Sequence, residues 1–317
     1  MRRLIFLFLL LAFQTAGAQT YPNRAVKIVI GFTPGGGVDI NARLLAAELT
    51  KILGQSVIVE NKPGAGTNIG AEFVAKSPPD GYTLFFNSPA MAINMSLYKS
   101  PGYDIQKDFV PISVFSDSTN ILVVPASLPV KTPKELVALA KEKPGALNFS
   151  SAGSGSTQHL AGELFKLRTG TQMVHVPYRG SAPSIAALLS AEVQLSFVNP
   201  LAIGPHVKSG RLRALAVAGP KRAGLLPDVP TMKEAGIEGI EVPLWFGLLA
   251  PRGTPREIVA TLAAGVARAA KDPDTRKRLE EQGGEPVGGT PEEFAALLRE
   301  EVTKWAEVVK VSNAKAD

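Results

Sequence analysis

The sequence predicts an α/β fold made of mostly parallel sheets flanked by helices. Short runs rich in Val, Ile, Leu and Phe alternate with helix-forming segments along the chain, which is the order of a parallel α/β sheet. Two glycine-rich loops each follow a predicted strand and open a predicted helix. At roughly 150 residues per domain, the 317 residues correspond to two α/β units, and we expect a cleft between them.

The predicted elements follow this alternation in order. Each strand is a short apolar run, and each helix has apolar residues three and four positions apart. The predicted strands are residues 26–31, 57–60, 82–86, 121–125, 147–150, 173–176, 193–197, 214–218 and 246–250. The predicted helices include residues 39–53, 71–75, 257–271 and 292–311.

Several helix starts have a recognisable capping pattern. Thr132, Thr254 and Thr290 each begin a Thr-Pro-x-Glu sequence, and Thr231 begins the same pattern without proline. Threonine is expected to cap the first free N–H groups, proline fits the first helical position, and glutamate can reach back to the cap. These residues are therefore assigned a structural role.

The composition is that of a folded globular protein, with 45% hydrophobic and 20% charged residues. The chain has no cysteine, which excludes disulfides, thiolate metal sites, a cysteine nucleophile and the lipid anchor of a bacterial lipoprotein. The formal net charge is +6, but the basic residues are scattered along the chain. We therefore expect no nucleic-acid partner.

The first 18 residues have the order of a cleavable export signal. Arg2 and Arg3 precede an apolar run at residues 4–13, and Ala16 and Ala18 supply small residues for cleavage near Ala18. The apolar run is much shorter than the roughly 20 residues that a membrane-spanning helix needs. We therefore predict a signal peptide at residues 1–18 and a soluble periplasmic protein.

The two glycine-rich loops, residues 31–39 and 150–159, are the candidate binding elements. Their glycines let a ligand approach the backbone, and the N–H groups at the following helix start favour an anion. Phosphate-binding motifs do not fit: Gly37 stands where a Walker loop needs lysine, and Gln158 and Ile69 stand where a dinucleotide motif needs its third glycine. A carboxylate is the expected anion.

The chain resembles the solute-binding proteins of the tripartite tricarboxylate transporter family, the Bug-type periplasmic receptors. The matching motifs extend over nearly the whole chain after residue 20. They include Tyr21-Pro22-Asn23-Arg24, Pro34-Gly35-Gly36-x-x-Asp39, Val59-Glu60-Asn61-Lys62-Pro63-Gly64, Pro79-Asp80-Gly81-Tyr82, Ser151-Ala152-Gly153-x-Gly155-Ser156, Val176-Pro177-Tyr178-Arg179-Gly180 and Trp245-Phe246-Gly247-Leu248.

The resemblance implies a two-lobe periplasmic binding protein of the type II-like, Venus flytrap kind. Lobe 1 would contain residues 19–122 and 247–317, and lobe 2 would contain residues 123–246. The expected ligand is a small organic carboxylate, and the expected partners are membrane transporter subunits. The resemblance implies a monomer without a cofactor or a metal.

The family's binding mode implies a set of ligand-binding residues in this chain. Backbone groups of the two glycine-rich loops would hold the carboxylate, and other residues would shape the rest of the pocket. The implied residues are Phe32, Thr33, Gly36, Gly37, Ser88, Ser151, Ala152, Gly153, Ser156, Thr157, Tyr178, Phe197 and Asn199. Asn199 is neutral where some members have aspartate, which argues against a ligand ammonium at that position.

Metal binding and acid–base catalysis receive less support from the sequence. His159 and Glu163 are four apart on a predicted helix, but no third metal ligand is evident, so hydrogen bonding or packing is favoured for His159. Asp39 is expected to be a helix cap and not a base, and to pair with Arg43 one turn later. Arg179 fits either a dianionic ligand or solvent equally well.

The favoured hypothesis is a receptor with no catalytic step that closes its lobes on a carboxylate and delivers it to a membrane transporter. An exported hydrolase is an alternative, although the serines around residue 154 lack the nucleophile-elbow motif. A sensor that passes the closed form to a signalling partner is a further alternative. Trp245 and Phe246 are expected to pack at the hinge.

Overall fold

The computed structural model describes residues 21–281 and 283–316. The predicted signal peptide, residues 1–18, lies outside the described residues. No helix in the described part of the chain combines the length and the apolar composition that crossing a membrane requires.

Strands and helices alternate as predicted. The strands are β1 (Val26–Ile30), β2 (Val57–Asn61), β3 (Thr83–Asn87), β4 (Phe109–Ser118), β5 (Ile121–Pro125), β6 (Asn148–Ser151), β7 (Val174–Pro177), β8 (Leu195–Val198), β9 (Leu212–Val217), β10 (Leu244–Pro251) and β11 (Glu285–Pro286). The helices are α1 (Gly37–Leu53), α2 (Asn68–Ala75), α3 (Ala90–Leu97), α4 (Pro133–Glu142), α5 (Thr157–Thr169), α6 (Ser181–Leu189), α7 (Pro200–Lys208), α8 (Arg256–Lys271), α9 (Pro273–Glu281) and α10 (Pro291–Ser312).

The strands form two mixed sheets, one in each lobe. The first sheet has the order β11-β4-β10-β3-β1-β2, and the second has the order β7-β6-β8-β5-β9. In each sheet three neighbouring strands are parallel, namely β3-β1-β2 and β7-β6-β8. Strands β10 and β5 run antiparallel to both of their neighbours. The α/β two-lobe prediction is therefore confirmed, with antiparallel strands where the chain passes between lobes.

The chain passes from one sheet to the other through a short segment and returns through a longer one. Thr119 and Asn120 connect β4 to β5, and residues 218–243 connect β9 to β10. Ile121 and Leu122 pair in the second sheet, although they were assigned to lobe 1. Residues 244–246 pair in the first sheet, although they were assigned to lobe 2. Sheet pairing of these strands thus moves the proposed lobe boundaries by a few residues.

The predicted helix caps are mostly present. Thr132 and Thr290 accept hydrogen bonds from the N–H groups of Glu135 and Glu293. The Glu293 carboxylate in turn accepts from the Thr290 N–H. Thr231 and Glu234 exchange the same pair of bonds. The prediction for Thr254 was wrong, because α8 begins after Pro255 and the Thr254 hydroxyl donates to the Pro251 carbonyl instead.

A buried carboxylate joins the last helix to a strand at the hinge. Trp305 on α10 and Trp245 on β10 both donate from Nε1 to Oε2 of Glu301, over 2.7 and 3.3 Å. Trp245 also packs edge-on against Phe294 of α10. Since α10 contacts α3 of the first lobe and α5 of the second, this helix packs across both lobes.

Candidate ligand-binding cleft

Three strand-to-helix loops meet between the lobes. Loop A (residues 31–36) joins β1 to α1, loop B (residues 152–156) joins β6 to α5, and loop C (residues 178–180) joins β7 to α6. The N-cap residues of α1 and α6 are Gly36 and Gly180, which have no side chain to cover the first N–H groups of the helix. Free N–H groups and the helix dipole make each start favourable for a negative charge.

An inner cavity lies where the three helix starts converge. The space open to the centre of a water-sized sphere is about 30 Å³, which makes this a narrow site. Every side chain that lines it is neutral, so an anion would be held by N–H and O–H donors and not by an opposite charge. The lining residues are Phe32, Gly36, Gly37, Val38, Ser88, Asn120, Ala152, Ser156, Thr157, Gln158, Ser181, Asn199, Leu244 and Phe246.

An outer cavity of about 420 Å³ adjoins the inner one. The two share Phe32 and Ala152 as lining residues. Gly66, Tyr98, Tyr178 and Arg179 are among the residues that line the outer cavity. The exposed Arg179 guanidinium stands at the solvent side of the cleft.

The lobes touch each other around these cavities. The Tyr98 hydroxyl of lobe 1 donates to the Ser154 carbonyl of loop B over 3.2 Å. A Cβ placed on Gly36 would lie 3.3 Å from the Ser181 side chain, and one placed on Gly66 would overlap the Ser154 carbonyl oxygen. Glycine at these two positions lets the backbones of the two lobes approach each other more closely than a larger residue would allow. These contacts show that the lobes are closed on each other in this structure.

Asp39 holds loop A in place. Its carboxylate accepts from the Gly35 N–H over 3.0 Å, from Arg43 on the next helical turn, and from the Asn61 amide. Burial by itself raises the pKa of Asp39, but these hydrogen bonds outweigh it and the net pKa is lowered. The predicted pair with Arg43 is confirmed. The prediction that Asp39 is the cap was wrong, because the N-cap of α1 is Gly36 and Asp39 lies three residues later, in the first turn.

Two histidines support loop B. The Ser151 hydroxyl bonds His175 Nε2 over 2.7 Å and accepts from the Gly153 N–H, and His159 Nδ1 accepts from the Gly155 N–H. The two imidazole rings stack with centroids 4.0 Å apart. His159 thus has the packing and hydrogen-bonding role that the sequence favoured. In the described part of the chain, no group of three or more His, Asp or Glu side chains could hold a metal ion.

Most predicted ligand-binding residues lie in the cleft. Phe32, Gly36, Gly37, Ser88, Ala152, Ser156, Thr157 and Asn199 line the inner cavity, and Gly153 and Tyr178 line the outer one. Thr33, Ser151 and Phe197 line neither cavity. A Cβ on Gly180 would overlap the Thr33 hydroxyl, Ser151 bonds His175, and the fully buried Phe197 packs against Phe165.

Sequence reasoning missed part of the inner cavity. The missed residues are Val38, Asn120, Gln158, Ser181, Leu244 and Phe246. Gly180 before an apolar helix was a signal for Ser181, since it marks a further strand-to-helix turn. Phe246, expected only to pack at the hinge, stacks on Phe86 and also faces the cavity. No sequence signal marked Asn120, because its position depends on how the chain crosses between the lobes.

Two lobes that close on a neutral, donor-lined cavity define a two-lobe solute-binding protein. The family model described as "Tripartite tricarboxylate transporter family receptor" matches residues 41–314. The chain belongs to this family, and the resemblance found in the sequence is confirmed.

Solved structures of similar proteins agree in fold over nearly the whole chain. The periplasmic binding protein BugD is 34% identical with a TM-score of 0.90, covering 94% of this chain and 100% of that one. Rpa4515 of R. palustris, solved with adipate, is 39% identical with a TM-score of 0.91 and the same coverage. MatC of Rhodopseudomonas palustris, solved with malate, is 34% identical with a TM-score of 0.87, covering 91% of this chain and 100% of that one.

Proposed function

We propose that this protein captures a small organic carboxylate between its lobes in the periplasm and delivers it to the membrane subunits of a tripartite tricarboxylate-type transporter. The observation that carries the proposal is the convergence of three helix starts, from both lobes, on one neutral cavity. Such a site binds an anion through backbone and hydroxyl donors. Family membership and the carboxylates bound in Rpa4515 and MatC support the ligand class.

The mechanism follows from the position of the donors. Loop A belongs to lobe 1, whereas loops B and C belong to lobe 2, so a bound anion contacts both lobes only when they are closed. The ligand therefore favours the closed state by its differential affinity. The closed molecule then presents a surface to the transporter that the open molecule does not have.

The hydrolase alternative has no specific observation in its favour. The Ser156 hydroxyl accepts from the His159 N–H as the N-cap of α5, which is a structural role. The Ser151–His175 pair is directed toward the Gly153 backbone and holds loop B. We therefore treat the protein as a binding protein, and steady turnover of ester substrates by the pure protein would contradict this view.

The test begins with a panel of carboxylates and the melting temperature of the pure protein. A ligand at 100 times its dissociation constant stabilises the protein by about 2.7 kcal/mol. The ligand that raises the melting temperature most is then measured by calorimetry. Absence of any shift across monocarboxylates, dicarboxylates, tricarboxylates and aromatic acids would overturn the proposal.

Gly36→Val tests the position of the anion. A valine at this N-cap would press on Ser181 and fill the approach to the first N–H groups of α1, so affinity should fall at least about tenfold while folding persists. Gly224→Val is the matched control, because a Cβ at Gly224 meets no atom within 4 Å and the residue does not line the inner cavity. Equal affinities of the two variants would contradict the assigned site.

Delivery is tested in cells. Uptake of the radiolabelled ligand should be lost when the receptor gene is deleted, restored by the intact protein, and not restored by the Gly36→Val variant. If deletion leaves uptake intact but abolishes a transcriptional response to the ligand, the sensor alternative is favoured instead.

A further inference from the structure

Two buried amides line the inner cavity with one atom each left unpaired. Asn120, in the segment that connects β4 to β5, is 0% exposed, and Gln158, in the first turn of α5, is 5% exposed. Asn120 Oδ1 and Gln158 Oε1 have no hydrogen-bond partner among residues 21–281 and 283–316. A buried acceptor without a donor is costly, so these oxygens point to a ligand group that donates.

Each amide is already joined to a hydroxyl of the same cavity. Asn120 Nδ2 donates to Thr157 Oγ1 over 3.1 Å, and Gln158 Nε2 donates to Ser181 Oγ over 2.9 Å. Since these hydroxyl oxygens accept the amide protons, their own O–H groups are available as donors. Each pair therefore offers one acceptor and one donor. If the side-chain amide is rotated by 180°, its oxygen accepts from the hydroxyl and its nitrogen becomes the available donor. Each amide–hydroxyl pair then still offers the ligand one donor and one acceptor.

A plain carboxylate cannot satisfy this arrangement. Its oxygens only accept, so they suit the helix starts and the Thr157 and Ser181 hydroxyls but leave the amide oxygens unpaired. An ammonium group would donate, but none of the described residues that line the inner cavity is acidic, and a desolvated cation needs a carboxylate partner. A neutral hydroxyl next to the carboxylate supplies the donor without a charge.

We propose that the inner cavity selects hydroxycarboxylates, and that Asn120 and Gln158 are the specificity-determining residues, one of which accepts the single proton of the ligand hydroxyl. This inference rests on the proposed function, because it concerns the same carboxylate site. It narrows the ligand class to anions that carry an aliphatic hydroxyl close to the carboxylate.

Matched pairs of acids that differ by one hydroxyl test the inference by calorimetry. The pairs are lactate and propionate, malate and succinate, and citrate and tricarballylate. Any other carboxylate that the panel identifies is compared with its own hydroxylated or hydroxyl-free counterpart. In every pair that binds, the hydroxy acid should bind at least about tenfold more tightly, because a site built to pair a hydroxyl discriminates against the analogue that lacks it.

The outcomes separate this inference from the proposed function. If carboxylates bind and the hydroxyl-free member of a pair binds as tightly as its partner, the inference is wrong and the receptor function stands. If ordered water donates to Asn120 Oδ1 and Gln158 Oε1, the ligand hydroxyl gives no advantage, and again the inference is wrong while the receptor function stands. If no acid binds at all, the receptor function fails and the inference fails with it.

Variants assign the preference to the two amides. Gln158→Met keeps the length of the side chain but removes its acceptor, and Asn120→Ala removes the acceptor of the other pair. Because the ligand hydroxyl has one proton, the preference for the hydroxy acid should fall to less than about threefold in at least one of the two variants. The variant in which the preference falls identifies the amide that accepts the hydroxyl proton. Gln172→Met, at an exposed position of the same lobe, is the control and should keep the full preference. Full preference retained by both folded amide variants would overturn the assignment.

Discussion

His175 lines neither cavity but supports loop B of the cleft through Ser151. Its ring lies between Phe149 and His159, and its Nε2 bonds the Ser151 hydroxyl that in turn holds the Gly153 N–H. Burial lowers the pKa of His175 to about 4, and the positive charge of Lys166 adds to the effect. The imidazole is therefore neutral in the folded protein over the range in which a free histidine takes up a proton.

The lowered pKa of His175 predicts a loss of stability in acid. Between pH 6.5 and about 4 the unfolded chain binds a proton at this residue and the folded protein does not, so the free energy of unfolding should fall as the pH falls. The full effect is roughly 3 kcal/mol. Denaturant unfolding at several pH values measures it.

His175→Phe is the matching variant, because phenylalanine keeps the stacking but does not titrate. The variant loses the bond to Ser151 and should be less stable at pH 8, but its stability should depend less steeply on pH between 6.5 and 4. An unchanged slope in the variant would show that other groups cause the acid sensitivity.

At the scale of elements, the capping box of α10 makes a quantitative prediction. The Thr290 side chain accepts from the Glu293 N–H over 3.2 Å, and the Glu293 carboxylate accepts from the Thr290 N–H over 2.7 Å. Thr290→Ala should lower the free energy of unfolding by about 1 kcal/mol. Chemical denaturation of the pure protein measures this change.

Thr303→Ala is the control for the cap. Thr303 is an exposed residue inside the same helix, and its hydroxyl bonds the Arg299 carbonyl one turn earlier. Alanine has the higher helix propensity, so this variant should be neutral or slightly stabilising. Equal destabilisation by both variants would show that the cap has no special role.

The elements that the sequence predicted well are those whose pattern is local. The nine predicted strands are all present with bounds within two residues, because each is a short apolar run between turn residues. Strand β4 was missed because Pro111 and the serines interrupt its apolar pattern. Its Ser116 hydroxyl finds a partner in Asn41 of α1, which only the folded chain brings near. Helix α3 was missed because it is apolar on most sides and so lacks an amphipathic period.

The same distinction applies to the candidate site. Loops A and B were predictable because glycine between a strand and a helix start is a local signal. Asn120, Leu244 and Phe246 were not, since they reach the cavity only through the crossing of the chain between the lobes. Phe197 was placed in the cleft by resemblance, whereas its side chain belongs to the core beside Phe165.

At the scale of the whole molecule, closure depends on contacts away from the inner cavity. Gly66 has a φ of 61° and lies against the Ser154 carbonyl and the Tyr98 hydroxyl. Gly66→Ala should therefore hold the lobes apart and lower ligand affinity by at least about tenfold, although Gly66 does not line the inner cavity. Calorimetry measures the affinity, and small-angle scattering with saturating ligand measures the closure.

Gly54→Ala separates closure from backbone strain. Gly54 has a φ of 67°, so alanine costs nearly the same conformational energy there, but a Cβ at Gly54 meets no atom within 4 Å. The control should lose stability like Gly66→Ala and keep its affinity. Equal affinity losses in the two variants would show that the effect is not one of closure.

The carboxylate of Glu301 also determines how the protein behaves in the fluorimeter. The chain has two tryptophans, and both indoles donate to the same oxygen of this side chain. Tryptophan fluorescence therefore originates from one buried cluster around Glu301, beside strand β10 at the hinge. External quenchers such as iodide have little access to this cluster. A spectral change on adding an anion would report a rearrangement around Glu301, and the wild-type chain could then be titrated without an attached dye.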